Sequence, residues 1–251
     1  DKAHRQLGTS GSGNHFVEVC LDERERVWTV LHSGSRGIGN KLARRHIDVA
    51  KAVMQRYFIT LEDPDLAYLV QGTREFTAYI EDMLWAQRYA MASRAAMNRV
   101  LLAALFAVTG RGSAVNVINC HHNFTQQEHH HGADVWITRK GAIKAATGDL
   151  GVIPGSMGTR SYIVRGLGNR ASYHSCSHGA GRRMSRTAAR AALTPASLTE
   201  AMDGRTWDAD RAAALVDEHP AAYKSIDQVM ADQLDLVEVL HTLSQVFNYK
   251  G

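Results

Sequence analysis

The stretch TGDLGVIPGSMGTRSYIVRGLGNRASYHSCSHGAG, residues 147–181, holds eight of the chain's 21 glycines. Glycine at that density marks backbone that must enter positive φ or press close to a ligand. A site built from tight loops is therefore expected here. Around it, periodicity sorts the chain into elements. HFVEVCL alternates, DERER makes a turn and VWTVLHS alternates again, which predicts a hairpin. Helical spacing is expected from Lys41 to about Phe58 and from Glu75 to about Val108. In the second of these, Phe76, Tyr79, Ile80, Met83, Leu84 and Trp85 form an apolar stripe of the kind that usually faces a core. VNVINC and ADVWITRKGAI predict a second strand pair, and a short helix is expected near Arg183–Ala192. Ser225 and Gln228 read as a capping box that opens a long amphipathic helix with Ile226, Val229, Met230, Leu236, Val237, Leu240 and Leu243 on one side. The pattern is that of a mixed α+β domain.

At 251 residues with 45% hydrophobic and 22% charged residues, one soluble domain over 1–251 is the expectation. No apolar run approaches the roughly 20 residues of a bilayer span and no signal-peptide core is visible, so no membrane partner is expected. Cys20, Cys120 and Cys176 form no CxxC, which argues against a disulfide framework or zinc ribbon and fits a reducing cytoplasm. A net charge of +4 tolerates a polyanionic partner without demanding one.

Four glycine-bracketed polar loops stand out: SGSGNHFVE, LHSGSRGIGN, IPGSMGTRS and SCSHGAGRRMSR. Each sets a polar side chain among glycines, and three add a basic residue, as a phosphate cradle of backbone N–H groups requires. His15, His32 and His178 lie inside three of them. Neutral imidazole is the commonest nitrogen ligand of divalent transition metals, so His15, His32 and one of the pair His121/His122 are candidates for a site assembled by folding. Adjacent side chains of a strand face opposite ways, so only one of that pair can serve. The run His129–His131 reads as an exposed loop, and His4, His46, His219 and His241 read as structural. His178, before two arginines and an expected helix start, is placed either to attack phosphorus or only to bind phosphate.

GNHFVE, LHSGSRGIGN, NCHHNF, RKGAI, PGSMGTRSYIVRGLGN, SHGAGRRMSR, AYKSIDQVM and the terminal KG, in this order, resemble the RtcB family of RNA ligases. The resemblance covers nearly the whole chain. It implies the single-domain architecture of that family, with mixed and antiparallel sheets, surrounding amphipathic helices and glycine-rich active-site loops. It implies GTP and two manganese ions as cofactors, and RNA with 3′-phosphate or 2′,3′-cyclic phosphate ends and 5′-hydroxyl ends as substrate. An accessory activator is a further candidate partner. By the same resemblance His178 carries GMP through a phosphoramidate bond, and His15, His32 and His122 bind metal. Asn14, Glu18, Asn123, Pro154, Gly155, Ser156, Met157, Ser161, Gly179, Ala180, Gly181, Tyr223 and Lys250 line the guanylate. Among these, Glu18, Ser161 and Lys250 read the guanine edge and Tyr223 stacks near the base. Arg36 sits where an RNA or sulfate-binding arginine would be. The family's metal pair also uses an aspartate and a bridging cysteine three residues later. Val17, Val117 and Tyr173 stand at that spacing before the three cysteines here, so the chain reads as the C-terminal part of a longer polypeptide. A non-catalytic nucleotide- or RNA-binding fragment and a metal-dependent cyclic phosphoesterase are the alternatives.

Overall fold

The computed structural model describes residues 2–11, 14–110 and 112–251, and its elements make a mixed α+β chain with antiparallel sheets. Ser12 and Gly13 of the first glycine-bracketed loop, and Arg111 of the loop at 109–114, lie outside the described residues. The chain divides into two compact units, Asp1–Gly11 with Ser33–Met97 and Ser12–His32 with Asn98–Gly251.

The first unit is helical, with α1 (Lys2–Gln6), α2 (Arg36–Arg56) and the N-terminal part of α3 (Arg74–Thr109). α2 begins five residues before the helical spacing becomes visible, because Gly37 and Gly39 in its first turn carry no side chain to show a period. Buried His46 places Nε2 2.8 Å from the Asp82 carboxylate, a structural role. By length and composition α3 is long and apolar enough to cross a bilayer, which differs from the sequence expectation. Arg88, Arg94 and Arg99 interrupt its apolar run without abolishing its apolar average.

The second unit is organised by its last strand. The long helix expected after Ser225 stops early: α7 covers only Ile226–Ala231, and Val237–Lys250 is strand β10. Leu240 and Leu243 fit a helical stripe as well as a strand, and a bulge between Val239 and His241 breaks the alternation that would have separated the two readings. The first half of β10 pairs with β7 (Ser161–Gly166), which pairs with β6 (Leu150–Pro154). Its second half pairs with β1 (Phe16–Leu21), which pairs with β2 (Val27–His32) as the expected hairpin. The order is β2-β1-β10-β7-β6, with the short β9 (Thr206–Trp207) pairing parallel to the end of β10; β5 (Ala142–Lys144) and β8 (Ser175–Ser177) make a separate antiparallel pair.

One face of this sheet buries Ile153, Tyr162, Val164 and Val237 against Ile226 and Met230 of α7. On the other face Phe16, Cys20, Val30, Ile163 and Leu243 form a second apolar cluster. Register places Glu18 opposite Val30 and Asn248, Phe16 opposite His32 and Lys250, and Ser161 opposite Leu243. Glu18, His32, Ser161 and Lys250, far apart in sequence, therefore belong to one face.

VNVINC forms no strand. The second hairpin is instead β3 (Asn123–His130) with β4 (Ala133–Lys140), because His131 and Gly132 both take positive φ and make a tight two-residue turn. The histidine run is thus divided. His129 is exposed and His131 sits in the turn, but His130 is buried, 2.8 Å from Glu128, which also pairs with Arg139.

Candidate active site

The histidine-bearing loops converge within the second unit. The ring of His32 lies 6.2 Å from that of His15 and 4.4 Å from that of His122, and the ring of His122 lies 5.2 Å from that of His178, nearly parallel to it. His121 turns elsewhere, to the ring of Phe124 at 5.5 Å. Of the adjacent pair it is His122 that joins the row, although the two precede β3 rather than lie in it.

Two of these imidazoles, His32 and His178, are held neutral. Burial, then the neighbouring His122, His15, His178 and Lys250, keep His32 well below the usual imidazole range. Burial likewise lowers His178, against the opposing pull of the Gly141 carbonyl. That carbonyl also fixes the tautomer. His178 Nδ1 lies 2.7 Å from Gly141 O, an oxygen that can only accept, so Nδ1 carries the hydrogen and Nε2 keeps its lone pair. The expected helix start plays no part here, since α4 (Arg186–Ala192) begins well after His178.

Gly141 is the hub. Its N–H is shared between the His122 carbonyl and Asn123 Oδ1, each at 2.9 Å, while its carbonyl holds His178. Its φ is +66°, and a Cβ there would stand 3.3 Å from His178 Cε1 and Nδ1. Gly141→Ala should cost about 1–2 kcal/mol in backbone strain and shift the His178 ring. Because small misplacements of reacting groups cost roughly a hundredfold in rate, the guanylate labelling of His178 that the family resemblance implies should slow by about that factor in a single turnover. Unchanged labelling would show that the ring is not held by this contact.

The other candidate residues lie in two places. Ala180 N–H donates to Pro154 O at 3.1 Å, and a Cβ on Gly179 would meet the same carbonyl at 2.8 Å, so the Pro154–Ser161 and His178–Gly181 loops are closely joined. The former does not present its amides outward as a phosphate cradle would. Gly155 N–H points to Ser161 Oγ at 3.4 Å, Ser156 N–H to Thr159 Oγ1 at 2.6 Å and Gly158 N–H to Gln245 Oε1 at 2.9 Å. Met157 packs its side chain with Leu198, Met202 and Leu215, away from polar groups. Nor are Arg182 and Arg183 available as expected: Arg182 bonds the Tyr223 hydroxyl and Asp217 O, and Arg183 bonds Ala221 O.

Around Glu18 lies a buried polar network. Its carboxylate accepts from Gln245 Nε2 at 3.0 Å and Asn248 Nδ2 at 2.9 Å, while Gln245 Nε2 also donates to Ser156 O at 3.0 Å. Burial raises the Glu18 carboxyl to about 8, despite the charge of Lys250 and the Asn248 bond. Lys250 Nζ reaches Glu218 at 2.8 Å and stands 5.0 Å over the Phe16 ring; Tyr223 donates to the same Glu218 oxygen at 2.7 Å. Gly141, Glu218, Gln245 and Asn248 escaped sequence reasoning. The inward polar positions of β10 would have revealed the last two had it been read as a strand.

Asn14 is exposed and Gly181 takes φ +67° with open space around it. Arg36 belongs to the first unit, where it opens α2 with Nε 3.4 Å from Thr9 Oγ1. As for metal, His15, His32 and His122 bring imidazole rings together in a row, a residue type that suits a divalent transition ion. Among the described residues, Asp22, Glu23 and His241 have ligand atoms within 4.8 Å of one another. There, however, Asp22 already accepts from the Arg24 and Arg26 amides, Arg26 Nε and Trp28 Nε1, which uses its lone pairs.

Residues 1–251 match the family model described as RtcB, tRNA-splicing ligase RtcB. The chain is 48% identical over 254 residues to the RNA-splicing ligase RtcB of Escherichia coli strain K12, an alignment covering 99% of this chain and 62% of that protein. It is 31% identical to the tRNA-splicing ligase RtcB of Aeropyrum pernix, over 89% of this chain and 54% of that one. Against the tRNA-splicing ligase RtcB of Methanocaldococcus jannaschii the identity is 28%, over 91% of this chain and 28% of the relative. The chain thus spans at most about three fifths of the length of these relatives.

Proposed function

Because this chain belongs to the RtcB family, we propose that it serves a GTP- and manganese-dependent RNA ligase that joins 3′-phosphate or 2′,3′-cyclic phosphate ends to 5′-hydroxyl ends. All of residues 1–251 are part of its ligase domain, and the reaction is cytoplasmic, in keeping with three free thiols. The observation that carries the reading is the orientation of His178: Nδ1–H is tied to Gly141 O, which leaves Nε2 as a nucleophile on a ring stacked against His122, at the end of the row His122, His32 and His15.

In the first step His178 Nε2 forms a bond to the α-phosphorus of GTP as the bond to pyrophosphate breaks. The Gly141 carbonyl stabilises the positive charge that develops on the ring. A cyclic RNA end is opened by water to a 3′-phosphate. An oxygen of that phosphate then takes GMP from His178, breaking the N–P bond, and attack by the 5′-hydroxyl oxygen on the 3′-phosphorus releases GMP. His15, His32 and His122 are the residues here that would hold manganese, which when bound neutralises charge on the phosphate oxygens. Glu18, Ser161 and Lys250 would read guanine, the Glu18 carboxyl, which must give up its proton on binding, facing N1–H and the 2-amino group and the ammonium facing O6.

Incubation of the protein with α-labelled GTP and manganese, followed by peptide mapping, tests this. An acid-labile, base-stable label on the peptide containing His178 is expected. GTP binding without label would favour a non-catalytic nucleotide- or RNA-binding role. Opening of cyclic phosphate ends without label would favour a phosphoesterase.

A further inference from the structure

The geometry points to Glu218 as a positioning residue that keeps Lys250 from pairing with Glu18, so that the two remain separate groups with which to select guanine. This rests on the guanine-reading roles proposed above for Glu18 and Lys250, and it adds a specificity determinant to them.

Lys250 and Glu18 lie on one face of the sheet, with Lys250 opposite Phe16 and Glu18 opposite Asn248 in the β1–β10 register. Both are buried, and they are near enough for the ammonium charge to act on the carboxyl. An ammonium so near a buried carboxyl would ordinarily draw off its proton and pair with it. Here the Lys250 ammonium goes instead to Glu218 Oε2 at 2.8 Å, an oxygen that also accepts the Tyr223 hydroxyl at 2.7 Å. Glu218 is itself fixed by Arg186, with Nη1 2.8 Å from Oε1, and lies against Arg182, which bonds the Tyr223 hydroxyl at 2.9 Å. Burial works against the Glu218 charge, yet Lys250 and its hydrogen bonds hold the carboxyl below its usual range, so it is an anion at neutral pH.

The consequence is chemical. Guanine offers an acceptor at O6 and donors at N1 and the 2-amino group; adenine offers a donor where guanine has O6. An ammonium and a carboxylate that neutralised each other would match neither edge. Near Glu18, Asn248 Oδ1 is also buried without a hydrogen-bond partner, a further acceptor beside that carboxylate. With Glu218 holding Lys250, the site keeps donor and acceptors apart in the pattern of guanine.

Equilibrium binding of GTP and ATP to wild type, Glu218→Gln, Lys250→Met and the double variant tests this. The glutamine retains size and an acceptor but removes the charge that holds Lys250. The expected result is a fall of about tenfold in the GTP-over-ATP ratio for Glu218→Gln, with little further change when the same substitution is made in Lys250→Met. Should Glu218→Gln fail to fold, Glu218→Asp, which shortens the carboxylate by one methylene, is expected to lower the ratio by a smaller factor. Equal weakening of GTP and ATP, or additive losses in the double variant, would overturn the proposal by making Glu218 a purely structural acid. A wild type that binds GTP and ATP alike would instead remove the guanine reading itself, and the proposal with it.

Discussion

His178→Ala should reduce guanylate labelling of the protein to background, at least about a thousandfold below wild type, while leaving the fold in place. The side chain is only half-buried, and among the described residues its polar bond is to the carbonyl of Gly141, itself only partly buried. Its removal therefore costs little packing but takes away the attacking nitrogen. His178→Asn sharpens the test. Its amide nitrogen stands where Nδ1 did and can still donate to Gly141 O, but it has no nitrogen lone pair able to attack phosphorus, so labelling should be lost equally while GTP still binds. The pH dependence should follow the neutral ring. Burial places His178 below the ordinary histidine value of 6.5, so acidification protonates it only below that range. The labelling rate should stay level from about pH 8 to about pH 6.5 and fall at lower pH. A label that survives in His178→Ala would place the covalent step elsewhere.

Glu18→Gln should make the nucleotide-free protein more stable at alkaline pH while weakening GTP. The Glu18 carboxyl is raised to about 8 from its ordinary 4.5. The folded chain thus retains a proton that the unfolded chain has released between these two values. Stability linked to this group is fully present below about pH 4.5 and is lost as pH rises towards about 8. The loss is on the order of 4 to 5 kcal/mol, because each tenfold change in a proton's binding equilibrium is worth about 1.4 kcal/mol. Glutamine carries no such proton, so the variant should match wild type near pH 5 and exceed it by several kcal/mol near pH 8 in denaturant titrations. GTP affinity near pH 8, where the Glu18 carboxylate is available to the base, should fall by roughly 10- to 100-fold, since bonds to a charged acceptor are worth about 1.5–3 kcal/mol. A variant less stable than wild type at pH 8 would refute the account of this carboxyl.

Why some of this was readable in the sequence and some was not has physical causes. His15, His32 and His178 each stand beside glycines at an element end, and such positions point side chains into shared space. The row of rings follows from that arrangement, and the choice of His122 over His121 follows from the family resemblance. β10 was obscured because Leu240 and Leu243 satisfy two periods at once and a bulge removes the evidence between them. With β10 unread, Gln245 and Asn248 could not be placed beside Glu18. The glycine-rich loop at Pro154–Ser161 invited a phosphate cradle, but composition does not reveal where an amide points, and Thr159, Ser161 and Gln245 take those hydrogens. Arg182 and Arg186 are bound to the residues at 217 and 218, a pairing across more than thirty residues that no local pattern encodes.

β10 also governs when activity can arise during synthesis. A ribosome makes β1 and β7 long before it makes the strand that joins them, and pairing at such separation is slow and waits for the later segment. Until then Glu18 has neither Asn248 nor Gln245 beside it, and Lys250 does not exist. A nascent chain can display its histidines early, yet the groups proposed to read a base should come together only once β10 has left the exit tunnel.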